Sequence, residues 1–269
     1  MKKFELTNEC ITNAFGKKLF RIRALEAFGD VKAGELGGYV EKEDNLDDEG
    51  NAWVYDNAQV YGEAQVYGEA QVYGNARAFG NTRVGGNAVV YDEAQVFGNA
   101  RVFGNARACG EACVCGEAQV YGEAWVGGEA QVFGNTRVYG EAQVYGEARV
   151  YGKARVFGNT RVGGNALVYG NARVFDNAQV CGEACVSGNA QVSDNADYAT
   201  VKGFGSEYRN TTFYRGKDEK IYVVCGCFFG DLEQFRAKVR ERHGDSKYAK
   251  EYLMLADLME MHFTRQEDY

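Results

Sequence analysis

From about Gly50 to Ala196 a six-residue unit repeats almost without a break, in copies such as "VYGEAQ", "VFGNAR" and "VYGNAR". Valine stands at every sixth position from Val54 to Val192, a column of 24 that only Ala78 and Ala108 interrupt. A second column runs from Ala52 to Ala196, with Thr82, Thr136 and Thr160 as its exceptions. A strict period of six fits neither a helix nor a heptad. Within each unit the alternation has period two. In Ala64-Gln65-Val66-Tyr67, alanine and valine fall on one side, glutamine and tyrosine on the other. That is a short strand with a small apolar inner face. Gly68-Glu69 then turns the chain, and glycine, asparagine and aspartate recur at these corners, where a positive φ or a side-chain-assisted turn is needed. Each unit therefore predicts one side of a coil.

Val66 and Ala70 stand four positions apart, as do nearly all their equivalents. This pattern resembles the hexads of left-handed parallel β-helix proteins. The resemblance implies three hexads per coil, so that the 24 hexads make about 8 coils, and it alone supplies the left hand. At a strand spacing of ~4.8 Å the rod would be roughly 40 Å long. Each coil buries its core only against its neighbours, so both ends need caps. "RIRALEAFGDVKAGELGGYVEKEDNL", from Arg21 to Leu46, resembles the start of YdcK-like bacterial and prophage hexapeptide-repeat proteins. "VVCGCFFGDLEQF" and "HGDSKYAKEYL" resemble a tail found on prophage members of that group.

Three segments follow. Residues 1–48 start with a hairpin, Phe4–Ile11 against Lys18–Ile22, and enter an atypical first coil that shields the open edge. Residues 49–200 form the solenoid. Residues 201–269 read as a small α+β tail of ββαα order, which caps the rod or drives assembly. Its strands are Thr211–Tyr214 and Lys220–Phe228. Asp231 and Gln234 form a capping box, Gly244 closes that helix, and a second helix spans Ser246 to His262. Proline is absent, which suits uninterrupted ladders of backbone hydrogen bonds.

The chain carries 30 basic and 38 acidic residues, a net charge of −8. Such a surface disfavours nonspecific binding to nucleic acid or anionic membrane. No run of 18 apolar residues exists and "MKKFELTNEC" lacks a signal-peptide core, so a cytoplasmic protein is expected. The eight cysteines read as reduced thiols. Cys109, Cys113 and Cys115 supply three ligands where a thiolate metal site needs four, and no metal or other cofactor is expected. Cys225 and Cys227 read as buried thiols sharing one face of a strand.

Acyltransferases of left-handed β-helix fold use a histidine on a coil as general base, and the related carbonic anhydrases hold a metal with three. Residues 49–200 contain no histidine and no long loop that could wall a site. The two histidines, His243 and His262, fall at helix ends in the tail and read as structural. The residue after each valine is usually aromatic and should point outward in ladders. Tyr61, Phe79, Phe97, Phe103, Tyr121, Phe133, Tyr151 and Tyr169 are the partner-binding candidates. Arg209 and Arg215 are the cationic candidates for an anionic ligand. Leu253, Leu255, Leu258 and Met259 are the candidates for oligomerisation, with a homotrimer expected first and a dimer second.

The leading reading is a noncatalytic, self-associating binding or scaffold protein that holds a protein partner. The resemblance adds a prophage setting, in which the partner would be a host enzyme or defence factor to be neutralised. The alternatives are an acyl- or nucleotidyl-type transferase, drawn from the fold analogy, and a protein that sequesters a small metabolite between subunits.

Overall fold

The structure, a computed structural model, describes residues 2–264 of the chain. Its centre is a three-sided parallel β-solenoid. Each side is a sheet of very short strands, usually the pair before and at the valine column, such as Gln119–Val120. The first face starts at Trp53–Val54 and ends at Gln179–Val180, with eight strands. The second starts in the rod at Gln59–Gly62 and ends at Cys185–Val186. The third runs from Gln65–Val66 to Gln191–Val192, again with eight strands. Register is constant at 18 residues, as in Val102 opposite Val84 and Val120. This confirms the parallel solenoid and three hexads per coil.

The rod interior is valine and alanine. Every valine-column residue from Val54 to Val192, Ala78 and Ala108 included, is fully buried. The corners depend on a left-handed residue. Glycine fills that position in most coils, with Gly122 at φ 75°. A Cβ there would lie 3.0 Å from the amide nitrogen of Gly140 in the next coil. Asp56, Asp92 and Asp176 occupy the same conformation at φ 52°, 59° and 57°. The Asp56 and Asp92 carboxylates recover part of the strain by accepting from the amides of Gly74 and Gly110, both at 3.1 Å.

The N-terminal cap adds a ninth, partial turn to the eight coils expected. Strands β1 (Phe4–Thr12) and β2 (Lys18–Ala24) form an antiparallel hairpin. Strand β3 (Leu36–Val40) pairs antiparallel with β2 and parallel with Gln59–Gly62. Leu46 then bridges to Val66, so the cap also begins the third face. Lys3 plugs the open end. Its Nζ donates to the carbonyls of Gly50 at 3.2 Å and Ala52 at 3.0 Å, and burial lowers its pKa from the ordinary lysine value.

The tail departs from the expected ββαα order. Its sheet has four antiparallel strands: Tyr198–Val201, Thr211–Arg215, Ile221–Cys225 and Phe228–Asp231. The expected single strand Lys220–Phe228 breaks because Gly226, at φ 59°, turns the chain between Cys225 and Phe228. Tyr198, which replaces a valine, leaves the solenoid and pairs with Tyr214. Helices α1 (Leu232–His243) and α2 (Lys247–Phe263) pack on one side of this sheet. The capping box of Asp231 with Gln234 and the Gly244 terminus are both present.

The tail closes the rod. Thr212 Oγ1 accepts from the Cys185 amide at 3.0 Å, and the hydroxyls of Tyr214 and Ser187 meet at 3.0 Å. Phe229 lies over Gly188, and Tyr214 and Val224 join the rod core. Among the described residues no helix is long and apolar enough to cross a membrane.

Candidate functional site

The outward side chains of the rod separate by face, with a period of 18 rather than six. The third face carries the longest unbroken ring stack: Phe103, Tyr121, Tyr139, Phe157 and Phe175. Successive centroids are 5.0, 4.9, 4.9 and 5.4 Å apart. The rings follow from the repeat, because each aromatic sits in register with the one a coil away and the strand spacing sets the stacking distance. Burial within the stack raises the Tyr121 pKa.

The same face holds five of the nine rod arginines, Arg83, Arg101, Arg137, Arg155 and Arg173, whereas the first face has Arg107 and Arg161 and the second Arg77 and Arg149. They stand on the strand position before the valine; Arg101, Arg137, Arg155 and Arg173 are beside the ring stack, and Arg83 shares its strand with Gly85. Arg83 is opposite Arg101, Arg137 opposite Arg155, and Arg155 opposite Arg173. None of the five makes an ion pair among the described residues. Arg173 lies 5.4 Å from the centroids of Phe157 and Phe175. Like charges in register repel, and among the described residues no carboxylate lies within ion-pair distance of the five. The corners bordering this face carry Glu63, Glu69, Glu117, Glu123, Glu141 and Asp176, and the far corner carries more. Asp56, Asp92, Glu93, Glu111, Glu129, Glu147 and Glu183 all project from the corner between the first and second faces. In a three-sided rod that edge, the most acidic of the three, lies across from the third face.

The YdcK Beta solenoid repeat family matches the chain at residues 70–86, 94–110, 142–158, 148–164 and 166–182. Those stretches of the rod are YdcK β-solenoid repeats. No curated protein matches the chain significantly. The YdcK repeat at 148–164 contributes Arg155 and Phe157 to the third face, and that at 166–182 contributes Arg173 and Phe175.

The rod distributes the eight aromatic candidates over two faces. Phe103 and Tyr121 belong to the third. Tyr61, Phe79, Phe97, Phe133, Tyr151 and Tyr169 belong to the second, where Cys115 splits the ladder in two. Tyr61 is only 5 % exposed, packed with Leu19 and Tyr39 of the cap. It and Phe79 touch Phe15 of the hairpin, so this end of the second face is already covered. Tyr139, Phe157 and Phe175 complete the third-face stack. They were legible in the sequence, but only by taking every third hexad together.

Other candidates move as well. Leu255 and Met259 are buried in the tail core, and Leu253 packs against it, so these three build the tail rather than an outer surface. Leu258 is exposed, on one helical stripe with Met254 and Met261. Arg215 is mostly buried and donates to the Phe263 carbonyl at 2.6 Å, so it locks the sheet to the end of α2. Arg209 is exposed beside a tail cavity. The cysteines form no metal-binding group among the described residues. Cys109 is buried on the first face, accepting from Trp125 Nε1 at 3.0 Å. Cys113 and Cys115 sit on the second face, where a hydrogen bond between the two thiols pushes Cys115 down to about 7 and Cys113 up. Cys227 lies exposed in the turn after Cys225, not buried on a shared strand face.

Proposed function

We propose that this YdcK-repeat protein is a noncatalytic binding rod that holds a protein partner with an acidic surface along its third face. The observation that carries this reading is a column of five arginines, interrupted once by Gln119 and without ion pairs among the described residues, along the face that carries five stacked rings. Such a row costs stability, and a partner's carboxylates would offset that cost. Arginine beside aromatic edges is also the pairing that anchors protein interfaces. The overall charge of −8 and the carboxylate edge across the rod favour a protein over a polyanion of nucleic-acid charge density. The coils run without an inserted loop and without a histidine, which supports binding over transferase chemistry.

A host defence factor is the partner suggested by the resemblance to prophage proteins. Self-association belongs to the same reading and is assigned to the exposed Met254, Leu258 and Met261 stripe of α2. The decisive experiment is photo-crosslinking in the native host, with a photoreactive residue at Tyr139 or at Tyr145 on the first face. A protein adduct confined to position 139, and lost with Arg137→Glu/Arg155→Glu, is expected. Equal adducts from both positions, or a gel shift of single-stranded DNA or RNA by the purified protein, would overturn the proposal.

A further inference from the structure

Independently of the rod's third face, the tail contains a concave site. A cavity of ≈ 270 Å³ opens between the 205–209 loop, the turn at Gly226 and the C-terminal half of α1. Two local features make it. Gly205, at φ 75°, lets the loop lie directly on Tyr252, because a Cβ there would fall 2.0 Å from the ring. Gly226, at φ 59°, leaves room for the Arg209 guanidinium, whose Nη1 lies 2.5 Å from where its Cβ would be. A larger residue at either position would displace a wall.

The floor and the rim differ in chemistry. Phe228, Phe235 and Tyr252 give an aromatic floor, with Phe235 edge-on to Tyr252 at 5.7 Å. The rim holds Arg209, Lys238, Arg242 and His243 against a single carboxylate, Glu207. Glu207 is 3.5 Å from Arg209, and Lys238 is paired with Glu241 at 2.9 Å. Arg242 has no ion pair among the described residues and stands at the mouth. Convergent cations over an apolar aromatic floor select a ligand that is charged at one end and flat at the other. Arg242, without an ion pair among the described residues, and the exposed Arg209 supply the two guanidinium groups that suit a phosphate monoester. The volume suits one ring system with its charged group.

We propose that this tail cavity binds a small phosphorylated ring compound of nucleoside monophosphate size, with the ring on Phe228 and Tyr252 and the phosphate between Arg209 and Arg242. The test uses the full-length protein and a fluorescent anionic aromatic probe, 8-anilinonaphthalene-1-sulfonate, displaced by AMP, GMP, CMP or UMP. One saturable probe site per chain is expected, with displacement by at least one of the four. Arg209→Gln/Arg242→Gln should weaken that displacement at least tenfold, and Lys238→Gln alone should weaken it less. Arg240→Gln, on the same helix but outside the cavity, should leave it unchanged. Melting curves on each variant report folding, and Lys238→Gln provides the readout should the double variant unfold. No displacement by any of the four at millimolar concentration would overturn the proposal. So would equal displacement by inorganic phosphate or by the uncharged nucleoside, or an equal loss with Arg240→Gln.

Discussion

The rod buries valine and alanine, one layer per coil, while the tail buries Phe213, Phe235, Tyr252, Met259 and Phe263 in a single irregular core. Small identical residues stacked every 18 positions leave no interior room, so whatever the rod binds must lie on its outside. Large, unlike residues meeting at varied angles leave gaps, and one of those gaps is the tail cavity. Regular packing thus produces long flat faces and irregular packing produces a pocket. The division of labour proposed here follows from that contrast.

Four measurements test whether rod and tail behave as differently as their cores. The largest effect should come from charge in the rod core. Val120→Asp places an unpaired carboxylate between coils and should cost about 4 kcal/mol or more, so the β signal in circular dichroism should melt far below that of the parent. Glu123→Gln at an exposed corner should change little. Val239→Asp in the tail should remove helical signal while the rod's β signal survives. Joint loss of both signals in the tail variant would show that rod and tail fold as one unit and would end the comparison.

Corner glycines come next. Gly122→Ala forces a Cβ into a left-handed residue that faces the Gly140 backbone at 3.0 Å, and should cost about 2 kcal/mol. Gly182→Ala, at the last corner of its edge, shares a positive φ of 69° but meets nothing within 4 Å, so about 1 kcal/mol is expected. Equal denaturation midpoints would show that the coil-to-coil contact adds nothing to the backbone term.

Alkaline pH should then loosen the tail. Burial and the Cys225 thiol raise Tyr252 from 10.0 to about 12. A phenol whose folded pKa is raised contributes stability that is complete below pH 10. That contribution is lost as the pH rises toward 12. The helical melting temperature should therefore fall by several degrees across that window, and Tyr252→Phe should blunt the fall. A helical melt that is flat from pH 9 to 12 would contradict the buried position of this ring.

The smallest effect concerns hydroxyls. Thr136 is fully buried and its Oγ1 has no hydrogen-bond partner. Thr136→Ala restores the column's usual residue and should be neutral or stabilise by about 1 kcal/mol. Thr212→Ala should destabilise by about the same amount, because it removes the acceptor of the Cys185 amide where the tail meets the rod. Melting shifts of the same sign in both variants would contradict the assigned hydrogen bonding.

Much of the rod was legible in its hexads. The inward valine and alanine columns, the corner glycines and the outward rings follow from a period of two within a period of six. The candidate face was present in the same letters, since Arg137, Arg155 and Arg173 recur every 18 residues beside Tyr139, Phe157 and Phe175. It becomes visible once hexads are sorted by face. Tyr61 shows the limit of that reading. It occupies an outward position by pattern, yet the hairpin lies over it. Leu255 and Met259 show the converse. An apolar stripe on a helix does not say whether a neighbouring sheet or a second chain will cover it.

The sequence by itself determined the solenoid, its inner and outer residues and the absence of histidine from the coils, because each of these depends on neighbours at fixed offsets along the chain. Only the tertiary structure decided how the ends close, which stripe of α2 stays exposed, and where Arg209, Arg242 and Tyr252 converge. Those features join residues tens of positions apart, with no repeat to fix their spacing, so contact among them is set by packing in space.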